Sequence, residues 1–198
     1  MVGLLNLMAD STLDSNLLCL ETQNTRLEPL TLEDVEFLFE LRRGLRSVFM
    51  KPISPHLDDQ YIYFRKYLEK FTEGTEIYYK IIDKSTGIRA GVVRLTEIDK
   101  KETFCWESLV TTAETRAIVA IDTFCLIYRA GFEILQRKFC SPFTVPKLNK
   151  RVIKLHEMME MVDRVGEVGD YWLYQVTNEK YKSGIVRMIR LGFGVVND

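Results

Sequence analysis

Between Trp106 and His156 the chain carries an order of elements that few folds accommodate. Trp106-Glu107-Ser108-Leu109-Val110-Thr111 reads as a strand, and a turn leads to one long amphipathic helix beginning near Arg116. In that helix Ile118, Ile121, Cys125, Tyr128, Phe132 and Leu135 recur at alternating steps of three and four, which sets one apolar stripe against a sheet. It is expected to end near Gln136-Arg137-Lys138, where basic side chains suit the dipole. A second strand over Phe143-Thr144-Val145 follows, and Asn149 to His156 opens another helix. Strands joined through a helix run parallel, so the segment predicts a parallel pair inside whatever sheet the rest of the chain builds. A helix start directly after a buried strand gathers unpaired N–H groups and positive dipole, which suits a phosphate-bearing ligand.

The remaining elements point to an antiparallel surround. A strand interrupted by polar residues is predicted over Leu18–Leu30, then a helix with Thr31 and Asp34 as a variant capping box and Val35, Leu38, Phe39 and Arg42 at helical spacing. Ser54-Pro55 starts a second helix, with Tyr61, Phe64, Leu68 and Phe71 on one face. Three runs joined by short links follow: Ile77–Ile82, Ala90–Ile98 and Thr103–Thr111, an antiparallel meander. Met161–Val165 and Tyr171–Val176 read as two further strands, with Gly166 and Gly169 in the turn between them, and 178–190 as a closing helix. The predicted fold class is a mixed α/β sheet, mostly antiparallel, with a central parallel splayed pair and flanking helices.

One domain over 21–198 behind an N-terminal extension, 1–20, suits the length of 198 residues and an apolar content of 46%. Lys and Arg total 27 against 28 Asp and Glu, a net charge of -1, so the basic field that holds nucleic acid is absent. No run reaches the ~18 apolar residues of a membrane span. The opening Met1–Met8 lacks a basic start and a small-residue cleavage site, so no secretory signal is expected. Cys19, Cys105, Cys125 and Cys140 are too widely spaced for a metal pair and suit reduced thiols of a cytoplasmic protein. No metal is expected, and a homodimer stays open.

Three segments carry a family resemblance: Asn24–Leu30, Gly91–Leu95 and Val145–Met159. Over roughly residues 25–181 the chain resembles the GNAT N-acetyltransferase superfamily, nearest the branch of ribosomal-protein N-terminal and amino-sugar acetyltransferases. The resemblance implies acetyl-coenzyme A (acetyl-CoA) as cosubstrate. It places Leu109, Val110 and Thr111 along the pantetheine arm and thioester, and 112–117 around the pyrophosphate. The family's Arg/Gln-x-x-Gly-x-Gly/Ala signature falls on Thr115-Arg116-Ala117-Ile118-Val119-Ala120, where only the last position fits. Glycines let backbone approach phosphate closely, and Ile118 would crowd it. Either the loop takes another register with Arg116 supplying charge, or coenzyme A binds weakly or not at all. Lys147, Lys150, Arg151 and Lys154 are further candidates, for the coenzyme's 3′-phosphate, or simply a solvated helix face.

In the same family an asparagine near the start of the helix after the second strand contacts the pantetheine arm. A tyrosine seven residues on often protonates the departing thiolate. Those positions are Asn149 and His156 here. A histidine keeps a polar hydrogen at that place, and its reference pKa of ~6.5 would let it act at neutral pH. Amine attack also needs a base; Glu107 is the first candidate, with Glu97 behind it, and each is equally readable as a solvated strand residue. Trp106, Tyr171, Trp172 and Tyr174 line an acceptor pocket or fill the sheet interface. The expected activity is acetyl transfer to a primary amine of a small metabolite, an amino sugar or sugar nucleotide. The alternatives are a protein or peptide N-terminal acetyltransferase and a non-catalytic acyl-CoA sensor of the same fold.

Overall fold

The structure, a computed structural model, describes residues 13–196. The first twelve residues of the expected extension lie outside that range; the rest of it packs, with Leu17 fully buried and its carbonyl accepting from the Tyr79 hydroxyl at 2.8 Å. The expected strand over 18–30 is two short strands, β1 (Leu20–Glu21) and β2 (Thr25–Pro29). The break has a local cause, because the Thr22 hydroxyl accepts the N–H groups of Asn24 and Thr25 and turns the chain. Helix α1 (Val35–Arg43) follows a 3-10 turn, with the Asp34 carboxylate accepting from both the N–H and the hydroxyl of Thr31. Helix α2 (Leu57–Thr72) buries Phe64, Tyr67 and Phe71.

Strands β3 (Glu76–Asp83), β4 (Ile88–Thr96) and β5 (Thr103–Thr111) form the expected meander. Helix α3 (Ala117–Arg129) continues into a π-helical turn at Ala130–Ile134. Then come β6 (Phe139–Pro146), α4 (Lys150–Met159), β7 (Asp163–Val168), β8 (Tyr171–Thr177) and α5 (Asn178–Arg190). Gly166, expected in the turn before β8, sits inside β7 at an irregularity in its pairing with β8. A bulge absorbs an extra residue without ending a strand, which the turn-like spelling of the segment conceals.

All eight strands join one sheet in the order β1-β2-β3-β4-β5-β6-β8-β7, antiparallel except for β5 with β6. That pair meets only at Thr103↔Phe139 and Phe104↔Cys140, and beyond those residues the strands separate. Helix α3 packs on one face of the sheet, where Trp106 meets Phe124 and Tyr128 edge-on and Phe104 meets Phe132. At the closed end the π-helical turn lies directly on Phe104: a Cβ at Gly131 would fall 2.2 Å from that ring. Helix α2 covers the other face, with Tyr67 against Tyr78 of β3. The result is a V-shaped notch, closed at Phe104 and open at Thr111 and Pro146.

Candidate active site

The notch is built from the two lips of the V. On β5, pairing with β4 shifts between Val92↔Val110 and Arg94↔Glu107, and Ser108 in that gap takes a positive φ of 58°. Trp106 points toward α3 while Glu107 faces α2, and the bulge leaves Ser108 and Leu109 outside the regular ladder, with Val110 again paired to Val92. Gly91 of β4 supports that lip from behind; a Cβ there would meet the Val110 carbonyl oxygen at 2.3 Å. Leu109 and Thr111 are half-buried and Val110 is buried.

The first turn of α3 presents Ala117, Ile118 and Ala120 beside the end of β5, with no side chain capping the helix. Ile118 does not stand in the loop as a crowding group; it packs, half-buried, on the main core. Arg116 is held by Asp83 of β3 through two bonds of 2.7 Å. The Arg116 guanidinium, with Ser85 assisting, holds the Asp83 carboxyl well below the usual carboxylate range. A ligand phosphate would compete with that carboxylate for Arg116.

On the opposite lip Asn149 caps α4, its Oδ1 accepting the Val152 N–H at 3.3 Å and its amide NH2 left for another partner. One prediction separates these two functions: Asn149→Asp should keep α4 and its unfolding midpoint, since the carboxylate caps equally well, but weaken coenzyme A binding by roughly 1–2 kcal/mol through loss of the donor. Equal dissociation constants for the two proteins would reduce Asn149 to a cap.

His156, two turns along α4, is 1% exposed. Trp106, Phe124, Phe143 and Tyr174 surround its ring at centroid distances of 5.4–6.3 Å, and neither ring nitrogen has a hydrogen-bond partner. Burial pushes its pKa down to about 4. The expectation that it is protonatable at neutral pH therefore fails: an apolar aromatic wall penalises the imidazolium, and no acidic neighbour offsets that cost. It remains an N–H donor as a neutral imidazole.

Glu107 is placed beside a guanidinium. Arg94 donates to it, to Glu76 at 3.0 Å and to the Tyr63 hydroxyl at 2.8 Å, a network on the α2 face. Glu97 lies at the closed end, accepting from Ser141 at 2.6 Å and Thr103 at 3.2 Å. Trp106 and Tyr174 belong to the wall around His156, Trp172 lies under Lys147 and Arg164, and Tyr171 lines the mouth. There a cavity of about 630 Å³ is bounded by Val48–Pro52 on one side and by Pro146–Leu148, Asp170 and Tyr171 on the other. The segment after α1 reached this mouth with no motif in the sequence to announce it.

No metal-binding cluster of His, Cys, Asp and Glu is found among the described residues, and no helix among them is long and apolar enough to cross a membrane. Burial pushes the Cys105 thiol up to about 11, and Cys125 and Cys140 are likewise raised, so these thiols are not poised as nucleophiles.

No protein-family profile matches the chain, and no curated protein matches it by sequence. Solved structures do match. Fold and notch together define the class: the molecule has the fold of the GNAT acetyltransferases. Among individual structures, the chain is similar to apo FdhC, a nucleotide-linked sugar GNAT, at 25% identity and a TM-score of 0.74, over 87% of this chain and 97% of that one. It also resembles spermidine N-acetyltransferase from Vibrio cholerae in complex with CoA and spermine, at 18% identity and a TM-score of 0.64, over 81% and 99%. A GCN5-related N-acetyltransferase from Brucella melitensis aligns at 19% identity and a TM-score of 0.59, over 84% and 81%.

Proposed function

We propose that the chain transfers the acetyl group of acetyl-CoA to the primary amine of a small metabolite, an amino sugar or sugar nucleotide. The observation that carries this reading is the splay of β5 from β6 after two paired residues, which leaves a slot with free strand edges for an extended pantetheine arm. Resemblance to a GNAT crystallised with CoA supports the donor. For the acceptor, the charged side chains lining the mouth cavity are Lys51, Lys147 and Asp170, with Phe49 and Tyr171 as aromatic walls. That balance suits a neutral or anionic sugar derivative with a base to stack better than a polycationic amine. The resemblance to a nucleotide-linked sugar GNAT points the same way.

In this reading amine and acetyl-CoA bind together, and the amine nitrogen attacks the thioester carbonyl. Glu107 takes the proton the amine loses, through a water. Backbone N–H groups near Val110, on the edge of β5 that the splay from β6 leaves without a strand partner, stabilise the oxyanion. His156 donates a neutral N–H hydrogen bond to the sulfur as it departs as a thiolate, and Glu107 gives up its proton through solvent to that thiolate, which leaves the free thiol and restores the carboxylate.

Release of free thiol from acetyl-CoA, measured with a panel of amines, tests the proposal. An amino-sugar nucleotide should outpace spermidine and a peptide α-amine. Saturable acetyl-CoA binding with no thiol release on any amine would replace the enzyme with an acyl-CoA sensor. His156→Phe should keep coenzyme A affinity and lose roughly 10²–10³-fold in turnover, the scale of a lost donor at a developing charge, with partial recovery in His156→Tyr. Because the imidazole is already neutral, wild-type turnover should show no His156 ionisation between pH 6 and 8. Undiminished turnover in the Phe variant would remove His156 from the chemistry.

A further inference from the structure

The loop from Thr112 to Arg116, where a phosphate-bearing donor would lie, has no glycine to let backbone close on a phosphate, and its own arginine is bound to Asp83. Two other guanidiniums flank the opening. Arg46, in the short 3-10 turn after α1, donates to Thr111 Oγ1 at 3.0 Å and to the Ala113 carbonyl at 2.9 Å, so it lies across the loop itself. Arg151 projects from the first turn of α4, on the other lip, and is exposed. Neither is in salt-bridge contact with a carboxylate among the described residues; Glu114, the acidic group acting on Arg46, stands beyond that distance.

Resting on the coenzyme reading above, we propose that Arg46 and Arg151 grip the coenzyme's diphosphate from opposite lips of the notch, replacing the contacts that loop glycines would make. Two cations facing one another across an opening repel, and a diphosphate between them turns that repulsion into two charge-assisted contacts. Partial burial and the charge of Arg151 push the Arg46 guanidinium below its ordinary range, with Glu114 opposing, so the two sense each other across the gap. Arg46 uses only two N–H groups on the loop, and a guanidinium offers five, so its outer edge is free for phosphate oxygens. A separate sign that the notch holds a ligand is His156, almost fully buried in its wall with both nitrogens unpartnered. The arrangement selects donors that carry a diphosphate and disfavours pantetheine thioesters that lack one.

The test is a calorimetric titration of wild type, Arg46→Gln, Arg151→Gln and Arg46→Lys with three probes: coenzyme A, dephospho-coenzyme A and pantetheine. Glutamine keeps a hydrogen-bond donor for Thr111, so the loop is not left unsupported. Each glutamine variant should bind coenzyme A and dephospho-coenzyme A about ten- to a hundred-fold more weakly, by the same factor for both, and bind pantetheine as wild type does. Arg46→Lys should restore part of the loss, and added salt should narrow the gap between wild type and variants. A loss shared equally by pantetheine would make the arginines mere props of the notch and overturn the proposal. So would a loss with coenzyme A alone, which would move the contact to the 3′-phosphate. Tight coenzyme A binding unchanged in both glutamine variants overturns the arginine grip only; no binding to wild type overturns it together with the coenzyme reading.

Discussion

Lowering the pH from 7 to 4.5 is expected to cost the wild-type protein about 2–3 kcal/mol of stability that a His156→Phe variant retains. The sign follows from burial. His156 has a folded pKa of about 4, below its ordinary 6.5, because the aromatic wall excludes water and supplies no carboxylate. Below pH ~6.5 the unfolded chain binds a proton that the folded chain refuses until pH ~4, so this stability is fully present above ~6.5 and drains away across that window. The distance from the ordinary 6.5 down to about 4 corresponds to about 3 kcal/mol at its limit. Other groups titrate in the same range, so the readout is the difference between two proteins. Urea midpoints for wild type and His156→Phe at pH 7 and 4.5 provide it, and parallel pH dependence in the two would mean that His156 meets water or a partner in solution.

Gly91→Ala should damage the protein more than any other single methyl on the sheet near the notch. Its Cβ would lie 2.3 Å from the Val110 carbonyl oxygen and 2.8 Å from the Thr111 Cα, both backbone atoms of the neighbouring strand, so no side chain can swing aside. β5 must shift by about an ångström, at a cost near or above the upper end of the ~1–3 kcal/mol usual for overpacking. That strand is also a lip of the proposed donor site, where an ångström of misplacement costs up to about 10²-fold. We expect a lowered unfolding midpoint together with a rise of at least about tenfold in KM for acetyl-CoA. Gly131→Ala is the control: its methyl strikes the Phe104 ring at the closed end of the V, so it should destabilise without moving KM. If Gly91→Ala lost stability but kept its KM, the Leu109–Thr111 lip would have no part in binding the donor.

Much of the frame was legible because its signals are local. The apolar stripe of α3, the Thr31–Asp34 box, the helix opening at Asn149 and the closing helix each rest on residues within a turn or two of one another. The meander was legible for the same reason, since short links leave neighbouring strands little choice but to pair. Where a local signal misled, a side-chain bond or a bulge intervened: Thr22 broke the first strand, and β7 carried Gly166 through an irregularity in place of turning. The three residues expected at the pantetheine arm do form one lip of the notch, and Asn149 starts the opposite one.

The sequence by itself determined the order of elements, their periods and caps, and hence a sheet with one parallel pair at its centre, because those properties depend on neighbours within a few residues. It could not determine who meets whom across the sheet. Arg116 finds Asp83 at a separation of 33 residues, and Arg46 finds Thr111 at 65. Glu107 faces Arg94 because a bulge at Ser108 sets which way β5 points. His156 shows the limit most plainly: its place on α4 is a matter of counting from Asn149, but its charge state is set by four aromatic rings from three strands and another helix. Tertiary packing decides protonation and ion pairing because both depend on the local dielectric and on the nearest charge, and only the folded chain defines either.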